Sequence, residues 1–293
     1  MENQKLVTIK SFFSQNNVRL KFEELLGKKA QGFITSVLQV VNSNNLLSQA
    51  EPTSVYNAAA VAATLDLPIN NNLGFAYIVP YNQKINGQFV KVAQFQLGYK
   101  GFIQLAQRSG QFQTIASTPI YENQLIEINP LTGFVFDFNK KGEKVIGYAA
   151  YFKLINGFEK TFYMTIEEIE KHGLKYSKNY NSVSSLWKTD FDSMATKTVL
   201  KLLLSKFAPL SIEMQKAIIA DQGVIKNDNT ETIEVDYIDN GTAIEVITKE
   251  DLVELFELKK ENVHAAEIEN IQRIIDNNET TSFKKVNDFL KTL

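Results

Sequence analysis

The sequence contains no cysteine, which excludes disulfides, thiolate metal sites and a cysteine nucleophile. Histidine is nearly as scarce. His172 and His264 are the only two in 293 residues and fall in different expected domains, so no histidine-built metal centre is expected. No run of about 18 apolar residues occurs, the length a membrane-crossing helix requires. The first residues, MENQKLVTIK, lack the apolar stretch of a signal peptide, and a reducing cytoplasm fits the absence of cysteine. Missing as well are the phosphate-cradling GxxxxGK[ST], the GxSxG elbow and a nucleotide-binding GxGxxG. The chain is therefore expected to bind rather than to break bonds, without a cofactor and not as an enzyme.

What is present is an ordinary globular composition, 44% hydrophobic and 22% charged, with an uneven distribution of charge. Residues 1–220 hold 23 Lys and Arg against 16 Asp and Glu, a balance of +7, whereas residues 221–293 hold 8 against 17, a balance of −9. A basic body with an acidic tail suits a body that meets a polyanion; plain solubility accounts for it equally.

Apolar periodicity predicts a helix over 18–47, and Glu51-Pro52-Thr53 opens an alanine-rich one, TSVYNAAAVAATLDL. Two strand pairs follow, each around Asn-Gly, the strongest short hairpin signal: GFAYIVPY with FVKVAQFQL, and KVIGYAAYFKLI with FEKTFYM. Between them lie a short helix (99–109) and a strand (112–121). Thr165 and Glu168 have the spacing of a capping box, and a long helix runs from Thr189 to Phe207 before Pro209. The expected fold class is α+β, an antiparallel sheet of two hairpins packed with helices. The expected domains are a core over 1–221, a flexible acidic linker over 222–244, and a small helical C-terminal domain over 245–293. Three amphipathic segments in that last domain lie near 249–260, 264–276 and 281–292.

Two helices carry polar stripes without a carboxylate. On 99–109, Lys100, Gln104, Gln107 and Arg108 share a side, opposite Phe102, Leu105 and Ala106. On the long helix, Lys197, Thr198, Lys201 and Ser205 oppose Ala195, Val199, Leu202 and Leu203. A solvated face usually mixes charge signs, so such stripes favour an anionic ligand, phosphate above all. In the second strand Gln94 and Gln96 alternate with Phe95 and Leu97, which puts amides on one face. Tyr99 and Trp187, the latter beside Lys188, are candidates for stacking on bases, though most aromatics serve the core. Glu167, Glu168 and Glu170 sit in a helix first turn, and Asp190 and Asp192 bracket the start of the long helix. There they complement the helix dipole, or, in a nuclease, hold a metal.

Three strings in order resemble the RecT family of phage annealing proteins: AAAVAATLDLPINNNLGFAYIVPY, AQFQLGYKGFIQLAQRSGQFQTI and WKTDFDSMATKTVLKLLLSKFAPLS. The resemblance runs from about 52 to 211; the first fifty residues match loosely and the tail hardly at all. It rests on Gly98, Tyr99, Gly101, Arg108, Ser109, Trp187, Asp190, Lys197 and Thr198. Lys201 stands near where the family commonly has arginine, and Gln107 where many members have one. The resemblance implies an oligomeric ring or filament with DNA in a basic groove. It also implies ATP-independent binding of single-stranded DNA, annealing to duplex, and work beside a phage exonuclease. The tail is a candidate dock for a host single-strand-binding protein. The expected DNA-binding residues are Lys100, Gln104, Arg108, Lys197, Lys201, Thr198, Gln94, Gln96, Tyr99, Lys188, Trp187 and Asn71. Alternatives are a coating protein that does not anneal, a metal-dependent nuclease, and a structural phage oligomer without nucleic acid.

Overall fold

The computed structural model describes residues 8–85, 88–129, 131–177, 179–183, 185–226, 235–236, 249–260, 263, 265–277, 286–287 and 289–290. It divides into two compact units, Met1–Asn240 and Gly241–Leu293.

The first unit opens with α1 (Ile9–Phe13), α2 (Asn16–Leu26) and α3 (Ala30–Ser43). The helix expected over 18–47 is thus divided. Gly27 takes φ +55°, a conformation that favours glycine, and a 3-10 turn over Gly27–Lys29 redirects the chain. These helices enclose α4 (Pro52–Thr64) with aromatics: Phe13 and Phe22 stack at 5.9 Å, and Phe22 meets Tyr56 edge-on at 5.7 Å. Proline opens α4, and the Glu51 carboxylate accepts from the amides of Thr53 and Ser54 at 3.1 and 2.6 Å. Its alanines 58, 59, 62 and 63 are buried, because their short side chains let neighbouring backbone come close.

β1 (Ala76–Ile85) and β2 (Gln88–Leu97) pair antiparallel in the register Ala76↔Leu97 to Ile85↔Gln88. Residues 86–87 at their expected turn lie outside the described residues. The hairpin lies against α4, where the Ser54 hydroxyl accepts from the Ala93 amide at 2.8 Å. After α5 (Tyr99–Arg108), β3 (Phe112–Tyr121), β6 (Val145–Leu154) and β7 (Glu159–Thr165) form an antiparallel sheet in the order β3-β6-β7. The second Asn-Gly makes the β6–β7 turn, with Gly157 at φ +89°. A further hairpin, β4 (Leu125–Asn129) with β5 (Gly133–Phe136), packs on this sheet through Phe134 and Phe136, whose ring centres lie 5.6 and 6.1 Å from that of Tyr163.

The capping box forms as its spacing predicts: Thr165 Oγ1 accepts from the Glu168 amide at 3.2 Å, and Glu168 Oε2 from the Thr165 amide at 2.9 Å. It starts α6 (Ile166–Tyr176), followed by α7 (Leu186–Thr189), α8 (Phe191–Phe207) and α9 (Ile212–Ala220). α8 lies across the three-stranded sheet and buries Ala195, Val199 and Leu203. The fold is α+β, helices on antiparallel sheets. Burying its four Val and Leu side chains, Val199, Leu200, Leu203 and Leu204, contributes roughly 6–12 kcal/mol before entropy is counted, so α8 is a structural spine as well as a surface.

The segment after α9 differs from a linker at its start. The Phe95 amide donates to Gly223 O at 3.1 Å and the Gln222 amide to Phe95 O at 3.0 Å. β8 (Val224–Ile225) is buried and Asn57 Nδ2 donates to Ile225 O at 2.9 Å. Residues 222–226 therefore belong to the body; two apolar side chains and backbone pairing outweigh the polar composition around them. β9 (Val235–Asp236) pairs with β8, and the rest of the expected linker lies outside the described residues.

In the second unit, α10 (Lys249–Lys259) and α11 (Ala265–Asp276) share a core of Leu252, Phe256, Ile271, Ile274 and Ile275, joined by Val286 and Leu290. Most of the segment expected near 281–292 lies outside the described residues. Among the described residues no helix is long and apolar enough to cross a membrane.

Candidate nucleic-acid interface

The start of α5 is fixed by glycines that let backbone pass over backbone. A Cβ on Gly98 would lie 2.0 Å from Gly74 O, and one on Gly101 2.3 Å from Phe75 O. This close approach seats the helix against the 70–74 loop, with the stem of Lys100 beside Gly74 and its ammonium end exposed. Asn71 is exposed in the same loop. Tyr99 is half-buried against the core rather than free to stack.

Farther along α5, Arg108 serves the fold. Its Nη1 and Nη2 donate to the carbonyls of Leu65 and Asp66, each at 2.7 Å. Those carbonyls follow α4, so the guanidinium satisfies groups that a helix end leaves open. Asp66 is also 3.3 Å from Lys29 Nζ. Gln104 and Arg108 border a cavity of about 440 Å³ with Lys29 and Asn70. The Gln104 Oε1 atom is buried there without a hydrogen-bond partner.

The α8 stripe is acid-free along its own helix but not in space. Asp221, just after α9 and fully buried, accepts from Lys197 Nζ at 3.0 Å and Lys201 Nζ at 2.7 Å, and from the Leu97 amide at 2.8 Å. Burial alone would push its carboxyl up, but the two ammonium groups and the Leu97 amide hold it below the usual carboxylate range. Lys197 is 8% exposed, so this lysine ties α8 to the chain that follows α9. Lys201 is more open, and two cations share one carboxylate. Thr198 is buried and donates to Met194 O at 2.8 Å.

The amide face of β2 is likewise covered. Gln94 is buried and donates to Gln222 O, while Gln96 donates to Gln94 Oε1 at 2.8 Å and Tyr81 Oη at 3.2 Å. Trp187 is buried between Tyr180 and Phe191, with ring centroids at 5.4 and 6.0 Å. Lys188 is exposed, its ammonium 4.7 Å from the Tyr180 ring centre. Of the expected site, the structure brings Trp187, Lys197, Thr198 and Lys201 together around one cavity of about 220 Å³ between α6 and α8. Gln104 and Arg108 border the other, and the amides of β2 line neither.

Two residues of this region carried no role in the sequence reading. Asp221 stood at the edge of the expected linker, and only the i, i+4 spacing of two lysines on a core helix hints that a buried acid is required. His172, weighed in the sequence only as a metal ligand, lines the smaller cavity. Burial lowers its pKa to about 4, helped by Lys201, Lys175 and Lys206. The carboxylates considered for a nuclease have structural partners: Glu167 pairs with Lys171 at 2.8 Å, Asp190 caps α8, and Asp192 accepts from the Tyr148 hydroxyl. Among the described residues, no group of three or more His, Asp or Glu is placed to hold a metal ion.

These features describe an α+β protein with exposed lysines on α5 (Lys100), α6 (Lys171 and Lys175) and α8 (Lys206), among others elsewhere on the first unit. The chain belongs to the RecT family, whose family model matches residues 31–255. It is similar to the uncharacterized protein YqaK of Bacillus subtilis (strain 168), 51% identical over 220 residues that cover 74% of this chain and 73% of that protein. It is also similar to Protein RecT of Escherichia coli (strain K12), 27% identical over 225 residues covering 72% and 79%. The family places the chain among proteins of DNA recombination by single-strand annealing.

Proposed function

We propose that this protein coats single-stranded DNA and anneals it to a complementary strand, without ATP, as an oligomeric ring or filament. The observation that carries the reading is the family match across the helices that display the lysines, α5, α6 and α8. The physical logic is simple. Pairing and stacking supply the free energy, so no fuel is needed, and the obstacle is repulsion between two polyanions. Lysines near the backbone offset that repulsion and release counterions. Contacts to phosphate position a strand without reading it, which leaves base edges open to a second strand.

Lys100 and Lys188 are the candidate contacts on exposed side chains, and Lys201, which is tied to Asp221, is the third. Arg108, Lys197, Thr198, Gln94 and Trp187 act on DNA through the shape of the surface they hold. An exonuclease that produces single-stranded ends is the matching partner, since this protein consumes what such an enzyme makes. Electron microscopy with two complementary oligonucleotides added in sequence tests the reading. Assemblies should lengthen or tighten on the first strand and persist on the second, whereas protein that stays monomeric with both strands contradicts it.

A further inference from the structure

The three-stranded sheet carries exposed apolar side chains at both of its ends. At one end, where Tyr121 pairs with Val145 and Gly147 with Thr165, the chain leaves for the β4–β5 hairpin. One side of that hairpin is covered, through Leu125, Phe134 and Phe136 against Ile120 and Tyr163. Ile126, Ile128, Leu131, Val135 and Phe138 are not covered; each is more than half exposed, Leu131 as much as 90%. Five such side chains present on the order of 500 Å² of apolar surface, against about 800 Å² per partner in a standard interface. A patch of that size marks an interaction site. DNA suits it badly, because residues 122–138 hold Glu122, Glu127 and Asp137 and no lysine or arginine. Lys140, just beyond, is tied to Asp137 at 3.4 Å.

The opposite end of the sheet has the complementary character. There Phe112 pairs with Leu154 and Lys153 with Glu159, and the β6–β7 turn leaves Ile155 and Phe158 exposed. α8 ends beside the first residues of β7: Lys160 Nζ lies 5.1 Å from the ring centre of the exposed Phe207, and Lys206 Nζ 5.0 Å from that of Phe162. The apolar groups here sit among Lys153, Lys160 and Lys206, with Glu159 against Lys153 at 3.8 Å, whereas those of the hairpin sit among acids. Resting on the reading that the chain assembles into a ring or filament, we propose that the β4–β5 hairpin of one copy docks on the β6–β7 turn and the end of α8 of the next. Ten residues of β6, about 30 Å of strand, separate the two ends of the sheet, so each copy offers both surfaces at once. A contact between two different surfaces is not used up by two copies. It repeats, and the row of copies closes as a ring or runs on as a filament.

A chain without cysteine makes this contact directly readable. Full-length protein carrying both Leu131→Cys and Ile155→Cys is treated with a short bismaleimide, with each single variant in parallel. The double variant should give a ladder of cross-linked multimers and the single variants none. A double variant that stays at monomer size overturns the proposal. So does a cross-linked dimer from Leu131→Cys alone, because hairpin would then meet hairpin. The second arm combines Ile128→Thr with Leu131→Ser, which removes exposed apolar surface without adding charge. Sedimentation velocity should show the variant reaching the wild-type assembly only at about ten-fold or more higher protein concentration, with its circular dichroism spectrum unchanged. If wild type and variant assemble alike, this surface falls while the oligomer reading stands. If the wild type is itself monomeric with and without oligothymidine, the oligomer reading falls as well. A variant that assembles normally but binds oligothymidine more weakly assigns the hairpin to DNA and overturns the proposal.

Discussion

Replacing Asp221 with alanine isolates what the buried ion cluster does. In the folded protein this carboxylate is fully buried and takes three hydrogen bonds, from Lys197, Lys201 and the Leu97 amide at 3.0, 2.7 and 2.8 Å. The alanine variant leaves Lys197, only 8% exposed, without this counter-charge, and orphans a buried amide on β2. Breaking a buried pair by removing one partner costs about 3–5 kcal/mol, and a buried unsatisfied donor adds about 1–3 kcal/mol. For a urea slope of about 3 kcal/mol/M, the midpoint should fall by roughly 1–2 M or more at matched protein concentration. Asp221→Asn keeps an acceptor for Leu97 and should lose less. Pairing Asp221→Leu with Lys197→Met should recover much of the loss, because apolar residues of similar volume replace buried ion pairs well. The pH dependence has a definite sign. The folded-state pKa of Asp221 is lowered, so its stabilisation is present above the unfolded carboxylate pKa of about 3.9 and is lost as pH falls through the folded value. An alanine variant whose midpoint stays within about 0.3 M of wild type refutes the reasoning, because the cluster would then carry no load.

Glycine substitutions separate close approach from mere flexibility. Gly98→Ala would place a methyl 2.0 Å from Gly74 O and should prevent normal folding. Gly32→Ala, inside α3 with nothing within 4 Å, should raise stability by about 0.5–1 kcal/mol; thermal melts of the two rank the effects. A chain ending at residue 221 loses the buried β8 pair and the Asn57–Ile225 contact, which is about 3–6 kcal/mol of side-chain burial alone. A chain ending at residue 240 keeps them, and limited proteolysis should find the shorter chain markedly more sensitive. Lys100→Gln removes an exposed cation without touching the core, so the slope of log affinity against log salt should flatten by about 0.7 for single-stranded DNA. An unchanged slope removes Lys100 from the interface.

The local rules were legible in the sequence. Thr165 with Glu168 formed the capping box, Pro52 opened α4, and the two Asn-Gly pairs sat between paired strands, because each rests on chemistry within a few residues. The β4–β5 hairpin was not legible. Its strands are short, the register shifts between Leu125 and Glu127, and no Asn-Gly marks the turn. The helix over 18–47 looked continuous because one Gly inside an apolar period is tolerated; only its φ decides. The site was read least well where partners are far apart in sequence. A helical wheel placed Lys197 and Lys201 on one face correctly, but it could not supply Asp221. In the same way it left Arg108 in a DNA-facing stripe, whereas two carbonyls more than 40 residues away hold its guanidinium.

Annealing itself is the measurement closest to the central claim. Two complementary oligonucleotides, one carrying a fluorophore and the other a quencher, are mixed with the protein in buffer free of ATP and of any other nucleotide. The account predicts quenching well above the spontaneous rate, slowed by added salt because phosphate contacts carry the affinity, and weakened in Lys100→Gln. Quenching no faster than without protein, while both strands are fully bound, would make the protein a coat rather than an annealer and contradict the account.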